Sequence, residues 1–162
     1  MSEQYYLKKD KMKKIALILN FSLVSLLSYS QWTYKTVNNG FDDPYPIAYT
    51  TENNSSILKL ENVDNYIYFY LQGGYFCDDY PDVDLVFVVN GVNKKHTLQG
   101  KKNPQSDAVF FATDLMNDEM LIDFKQCSIL KVRITESYCD NNTYTFIMDK
   151  STSALNFMQI IK

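Results

Sequence analysis

Histidine, glycine and proline are scarce in this 162-residue chain, and each shortage excludes a class of protein. His96 is the only histidine, so the sequence cannot supply the several imidazoles of a zinc centre and offers one candidate base for a catalytic triad. Five glycines and four prolines are too few for a low-complexity or disordered chain. The length suits one domain better than two. The sequence therefore predicts one folded domain, with no catalytic residues and no cofactor.

Long apolar runs are also missing, because none reaches the roughly 20 residues that a membrane-spanning helix needs. The longest, 15–27, follows a basic stretch of five lysines and precedes small residues, Ser28 and Ser30, at the −3 and −1 positions of a cleavage site. This is the pattern of a secretory signal peptide, and an uncleaved anchor is the alternative. We expect residues 1–30 to be removed near Ser30–Gln31, which leaves a periplasmic or secreted domain, 31–162. Met12, followed by two lysines, is itself a normal start of a signal peptide. We therefore interpret Met12 as the initiator and residues 1–11 as an over-extension of the coding sequence.

Positive charge is scarce in the mature part. It holds 11 Lys and Arg (16 − 5) against 17 Asp and Glu (19 − 2), a net charge of −6. An acidic domain does not attract nucleic acid or anionic lipid in bulk. Four lysines (Lys94, Lys95, Lys101 and Lys102) form a local basic patch. Such a patch usually protects a strand edge from aggregation and less often forms a docking face.

Aromatic and β-branched residues are abundant, with 13 Tyr and 10 Phe in the chain. The two densest runs, 66–71 and 83–89, are apolar or aromatic on both faces, which predicts two central strands. Asn90-Gly91 predicts a type I′ hairpin from the second run to 92–98. A short helix is predicted over 117–125 with Asn117 as its N-cap, and another after Ser151. Eight or nine strands with two short helices predict an antiparallel, immunoglobulin- or jelly-roll-like β-sandwich.

Three cysteines allow three single disulfides. Cys127 and Cys139 bracket a predicted strand about 30 Å long, whereas a disulfide needs Cα atoms within about 7 Å. Cys77 and Cys139 both lie in polar turns beside aspartates, and Cys127 continues an apolar pattern. We predict a Cys77–Cys139 disulfide, and three partly buried free thiols are the alternative.

Three further features have a functional and a structural interpretation. The turn with Asp78, Asp79, Asp82 and Asp84 either binds calcium or is simply a solvated turn, which its spacing favours. Five tyrosines form either an interaction surface or a layer covered by the second sheet: Tyr66, Tyr68, Tyr70, Tyr75 and Tyr80. His96 is interpreted as an exposed hairpin residue.

From Leu85 onward the order of features resembles the invasion-associated locus B family of exported bacterial proteins. The matching segments are Val88-Val89-Asn90-Gly91, 108–113, the short helix running into 128–134, 144–148 and 153–155, with Trp32 as an early tryptophan. The resemblance implies a periplasmic or secreted β-sandwich that is linked to host-cell association and has no known catalysis. This chain departs from the family in being acidic and in using Asn-Gly where the family hairpin has Asp-Gly.

These observations together predict an exported, non-catalytic binding or scaffolding protein of the bacterial envelope or extracellular space. Its expected partner is an unknown protein or another envelope component, without nucleic acid and without a transmembrane span in the mature chain. The alternative is a calcium- or small-ligand-binding module that uses the Cys77–Asp84 turn.

Overall fold

The computed structural model describes residues 32–38, 40, 44–52, 55–63 and 66–159. The predicted signal peptide, its cleavage site and the alternative start at Met12 lie outside these residues. The strands of the described part are β1 Thr33–Val37, β2 Tyr45–Glu52, β3 Ser56–Val63, β4 Tyr66–Gln72, β5 Asp82–Val89, β6 Val92–Gln99, β7 Lys101–Lys102, β8 Ala108–Ala112, β9 Ile129–Thr135 and β10 Asn142–Ile147. The helices are a 3-10 turn, Thr113–Leu115, followed by α1 Asp118–Gln126 and α2 Ser151–Gln159.

The strands form two antiparallel sheets. One has six strands in the order β1-β2-β3-β4-β8-β7, and the other has four in the order β10-β9-β5-β6. The predicted β-sandwich with two helices is therefore confirmed. The described part holds ten strands rather than eight or nine, chiefly because the two-residue β7 lies within a segment whose polar, lysine-rich composition predicts a loop.

The core lies between the sheets because alternate residues of each strand face inward. In β4 the buried residues are Ile67, Phe69 and Leu71, and in β5 every second residue is buried in the same way. Both strands have a partner on each side, as their two-sided apolar pattern predicts. Helix α1 closes one end of this core, since the ring of Phe124 lies 5.0 Å from Phe69 of one sheet and 6.4 Å from Phe87 of the other.

Local signals set the hairpin and the start of α1. Asn90 and Gly91 have φ angles of 51° and 79°, as a type I′ turn requires, and Val89 pairs with Val92. Asn117 Oδ1 accepts a hydrogen bond from the backbone N–H of Met120 at 2.8 Å, so the predicted N-cap is present.

Ser151 has a different role from the cap that its sequence position predicts. It is the first residue of α2, and its hydroxyl donates to the carbonyl oxygen of Phe124 at 2.9 Å. Thr152 Oγ1 donates to the carbonyl oxygen of Lys125 at 2.8 Å. Carbonyls in the last turn of a helix lack partners within that helix, so the start of α2 satisfies the end of α1. No helix in the described ranges is long and apolar enough to cross a membrane.

Candidate functional site

The outer face of the six-stranded sheet carries the predicted tyrosine surface. Because Ile67, Phe69 and Leu71 point into the core, Tyr68 and Tyr70 of the same strand point outward and are half-buried. Tyr66 is exposed at the start of the strand. The structural interpretation, in which the second sheet covers these tyrosines, is wrong. The four-stranded sheet packs on the opposite face, since an antiparallel strand offers its alternate residues to opposite sides.

Three aromatic rings form one packed layer on this outer face. Antiparallel pairing of β4 with β8 places Phe110 opposite Tyr70, and their rings stack with centroids 5.3 Å apart. The Tyr68 ring lies 6.3 Å from Phe110 and 6.4 Å from Tyr70. These separations are within the range of favourable aromatic pairs. Phe110 was not among the residues predicted for this surface, although its alternation with buried Val109 and Phe111 marks it as outward-facing.

Charged groups extend the aromatic layer across β3. Lys59 pairs with Tyr70, and its ammonium nitrogen lies 4.1 Å from the centroid of that ring. The same nitrogen lies 2.9 Å from Glu61 Oε2. Burial, together with the charge of Glu61 and a hydrogen bond to it, raises the pKa of Tyr70 to about 12. Tyr70 is therefore a neutral phenol at physiological pH, held by its neighbours in one position.

The other two predicted tyrosines lie away from this layer. Tyr75 and Tyr80 belong to the connection from β4 to β5 and are 71% and 59% exposed. Within the described part of the chain, no aromatic contact joins either of them to the rings on β4. The structure thus gathers Tyr68 and Tyr70 with Phe110, places Tyr66 at the rim, and leaves the remaining two as separate exposed rings.

The β4–β5 connection is joined to the β9–β10 turn by a disulfide. Cys77 and Cys139 are bonded, with Cα atoms 6.0 Å apart, as predicted. Glu136 Oε1 accepts from the backbone N–H groups of Cys77 and Asp78, at 2.6 and 3.0 Å. In return, Asp78 Oδ2 accepts from the N–H of Ser137 at 2.6 Å. These reciprocal bonds hold the two turns together independently of the disulfide.

The third cysteine is part of the core. Cys127 is free and buried at the end of α1, and its thiol donates to the carbonyl oxygen of Phe124. Burial raises the pKa of this thiol to about 12, so it stays protonated. A protonated, buried thiol is a poor nucleophile. The prediction of a small core residue at this position agrees with the structure.

The four aspartates of the acidic turn have different surroundings. Asp78 bonds to the β9–β10 turn, Asp79 pairs with Lys102 at 3.2 Å, and Asp82 is exposed. Asp84 accepts from Thr97 Oγ1 at 2.8 Å and from Arg133 Nε at 3.0 Å. Residues 32–159, where described, contain no group of three or more His, Cys, Asp or Glu side chains arranged to hold a metal ion. Calcium binding at this turn stays a prediction.

His96 is not the exposed hairpin residue that the sequence suggests. Its side chain is only 11% exposed, and Nε2 lies 2.9 Å from Oδ2 of Asp123 in α1. The ring also lies 5.6 Å from Phe87. His96 pairs with Leu85, whose side chain is buried, so the pairing register turns the imidazole inward beneath α1. The histidine ties the edge strand β6 to the helix.

The four predicted patch lysines lie on the edges of both sheets. Lys94 and Lys95 belong to β6, the edge of the four-stranded sheet, and Lys101 and Lys102 form β7, the edge of the other. Lys102 also bonds to the carbonyl oxygen of Cys77 at 2.8 Å. This placement agrees with lysines that discourage edge-to-edge pairing.

The outer face of the four-stranded sheet carries a shallow depression of about 390 Å³. Asp84, Lys95, Lys131 and Arg133 supply its charged lining, and Val86 lies among them. Asp84 and Lys95 were predicted as parts of two separate features, because their proximity depends on how β5, β6 and β9 pair.

The fold defines the class of this protein, a two-sheet antiparallel β-sandwich cross-linked by one disulfide. No protein-family model matches the chain, and no curated protein matches it. Among solved structures, it is similar to the crystal structure of invasion associated protein B from Bartonella henselae, with a TM-score of 0.55. The two are 12% identical, and the match covers 82% of this chain and 94% of that chain. The resemblance to that family is therefore confirmed at the level of the fold.

Proposed function

We propose that this protein is an exported, non-catalytic binding protein of the bacterial envelope or extracellular space. Its partner, a protein, docks on the aromatic layer of Tyr68, Tyr70 and Phe110. One observation carries the proposal: the outer face of the six-stranded sheet holds three packed aromatic rings that stay partly exposed in the described chain. Large apolar areas on a protein surface commonly mark interaction sites.

The chemistry of the layer favours a protein partner. Tyrosine combines apolar area with a hydroxyl group and is enriched at protein interfaces. The rings of Tyr68 and Tyr70 are already fixed by Phe110 and by Lys59, so docking would order few side chains. Binding costs less conformational entropy when the surface is organised beforehand.

Export is supported by three features of the chain. The first 30 residues have the pattern of a signal peptide. The disulfide between Cys77 and Cys139 is compatible with an oxidising compartment, where such bonds persist. The protein with the similar fold is named for its association with invasion, which agrees with a role outside the cytoplasm.

A non-catalytic role is supported by the state of the reactive side chains. His96 is paired with Asp123 under α1, Cys127 is buried and protonated, and the other two cysteines are bonded to each other. An active site needs an acid, a base or a nucleophile that converge where a substrate can reach them. These groups are either enclosed or already engaged.

Site-specific photocrosslinking tests the docking face. A photoreactive amino acid replaces Tyr66 at the rim of the layer, and the matched control carries it at Val92, which is exposed on the other sheet. In the native envelope fraction, we expect one defined protein adduct from position 66 and none from position 92. Binding of that protein, once purified, should be lost in Tyr68→Ser. The same adducts from both positions, no adduct, or an adduct with a second copy of this chain would each contradict the proposal.

A further inference from the structure

The outer face of the four-stranded sheet differs in charge from the rest of the protein. Cross-strand pairing places Lys95 and Lys131 on either side of Val86, and it places Arg133 beside Asp84. Among the described residues, the charged lining of the depression is thus three cations and one anion, whereas the predicted mature chain, 31–162, has a net charge of −6 (11 − 17). Cations are concentrated on this face although acids dominate the sequence.

Asp84, the anion among the described lining residues, already has hydrogen-bond partners. Asp84 Oδ2 accepts from both Nε and Nη2 of Arg133, and Oδ1 accepts from Thr97. Hydrogen bonds from Arg133 and then Thr97 lower the pKa of Asp84, so its carboxylate stays charged and keeps hold of the guanidinium. A guanidinium has five N–H donors, and three of them remain for another partner. Asp84 therefore holds Arg133 in place, and the remaining N–H groups of Arg133 are available to a ligand.

The two lysines set the size of the molecule that the depression would accept. Lys95 and Lys131 stand on strands separated by β5, so their backbones are about 10 Å apart, twice the usual strand spacing. Their long, flexible side chains can approach a common ligand from opposite sides. The volume of about 390 Å³ falls at the lower end of the range for small-molecule sites.

From this charge complementarity and size we infer that the depression binds a small organic anion carrying two or more negative charges on carboxylate or phosphate groups. Lys95 and Lys131 contact the charged groups from the two sides, Arg133 donates from its free N–H groups, and Val86 contacts the carbon skeleton. The site lies on the opposite sheet from the proposed protein-docking face, so an experiment can refute one of the two proposals without affecting the other.

Calorimetric titration at low ionic strength tests this site in the disulfide-bonded protein. Citrate is the polycarboxylate probe, glycerol 3-phosphate is the phosphate probe, and glycerol is the uncharged control. We expect at least one anion to bind with a Kd of about 1 mM or tighter, and glycerol not to bind. Whichever anion binds more tightly identifies carboxylate or phosphate as the preferred group.

Matched variants separate a site from general attraction. The double variant Lys95→Gln/Lys131→Gln should weaken binding about tenfold, because it removes two charge-assisted contacts. Lys35→Gln, an exposed strand lysine on the other sheet, should leave the affinity unchanged. Arg133→Lys keeps the positive charge but removes the planar guanidinium that donates two hydrogen bonds to Asp84. This variant should also weaken binding. Failure of both anions to bind, or equal weakening by Lys35→Gln and the double variant, would overturn the inference.

Discussion

Replacing Cys77 and Cys139 by serine should cost this protein much of its stability. The two cysteines are 62 positions apart, so the disulfide closes a long loop in the unfolded chain. In the chain-entropy model, a loop of this length is worth about 4 kcal/mol at 25 °C. Since domains of this size are stable by roughly 5–15 kcal/mol, the loss is a large fraction of the total.

The folded structure of this variant should nevertheless be preserved. Glu136 still binds the backbone N–H groups of residues 77 and 78, and Asp78 still binds Ser137. These hydrogen bonds keep the β4–β5 connection beside the β9–β10 turn. The destabilisation therefore arises mainly from the greater conformational freedom of the unfolded chain. The far-ultraviolet circular dichroism of the native state, which reports the backbone structure, should not change.

Urea denaturation of the wild type and the Cys77→Ser/Cys139→Ser variant measures this loss. Cys127→Ala is the control, because it removes a buried thiol but leaves the disulfide intact, and it should cost only about 1 kcal/mol. Thiol titration of the denatured, non-reduced wild type should find one free thiol. Three free thiols, or a loss no larger than that of the control, would refute the reasoning.

Three further predictions concern stability. His96→Phe should cost about 1–3 kcal/mol in urea denaturation, because the Asp123 carboxylate is left buried without its partner. Asp84→Asn should cost about 0.2–1 kcal/mol at neutral pH, and this cost should shrink as the pH is lowered into the acidic range. The pKa of Asp84 is lowered in the folded state by Arg133, so its contribution is present at neutral pH and lost as pH falls through that pKa. Gly91→Ala should cost about 1 kcal/mol through its positive φ alone, since no atom lies within 4 Å of the added methyl group.

A control variant or a contrary outcome checks each of these predictions. Lys94→Ala, an exposed neighbour of His96 on the same strand, should change stability by less than about 0.5 kcal/mol. If the cost of Asp84→Asn does not change between neutral and acidic pH, the effect is not electrostatic. If Gly91→Asn is as unfavourable as Gly91→Ala, backbone strain at the turn is not the cause, because asparagine tolerates positive φ better than alanine.

Local signals were sufficient for most of the fold. The alternation in 66–71 and 83–89 predicted central strands, and Asn90-Gly91 predicted the hairpin with its register. Asn117 predicted the start of α1. Each of these depends on residues close together in sequence, where the physical preferences of turn, strand and cap act directly.

The surfaces were less predictable, because each depends on how distant strands pair. Phe110 joins the aromatic layer only because β8 lies beside β4, about 40 positions earlier in the chain. His96 meets Asp123 only because β6 pairs with β5 in a register that turns the imidazole inward. A shift of one residue in either pairing would send the same side chain to the opposite face.

The amino-acid sequence by itself indicated an acidic, antiparallel β-sandwich, and it indicated which cysteines would be joined. These properties follow from composition, from periodicity and from the reach of the chain. The tertiary structure alone decided which side chains share a face: the aromatic layer on one sheet and the cationic depression on the other. The reason is physical, since strand order and register bring together residues from separate segments, and no local pattern encodes that pairing.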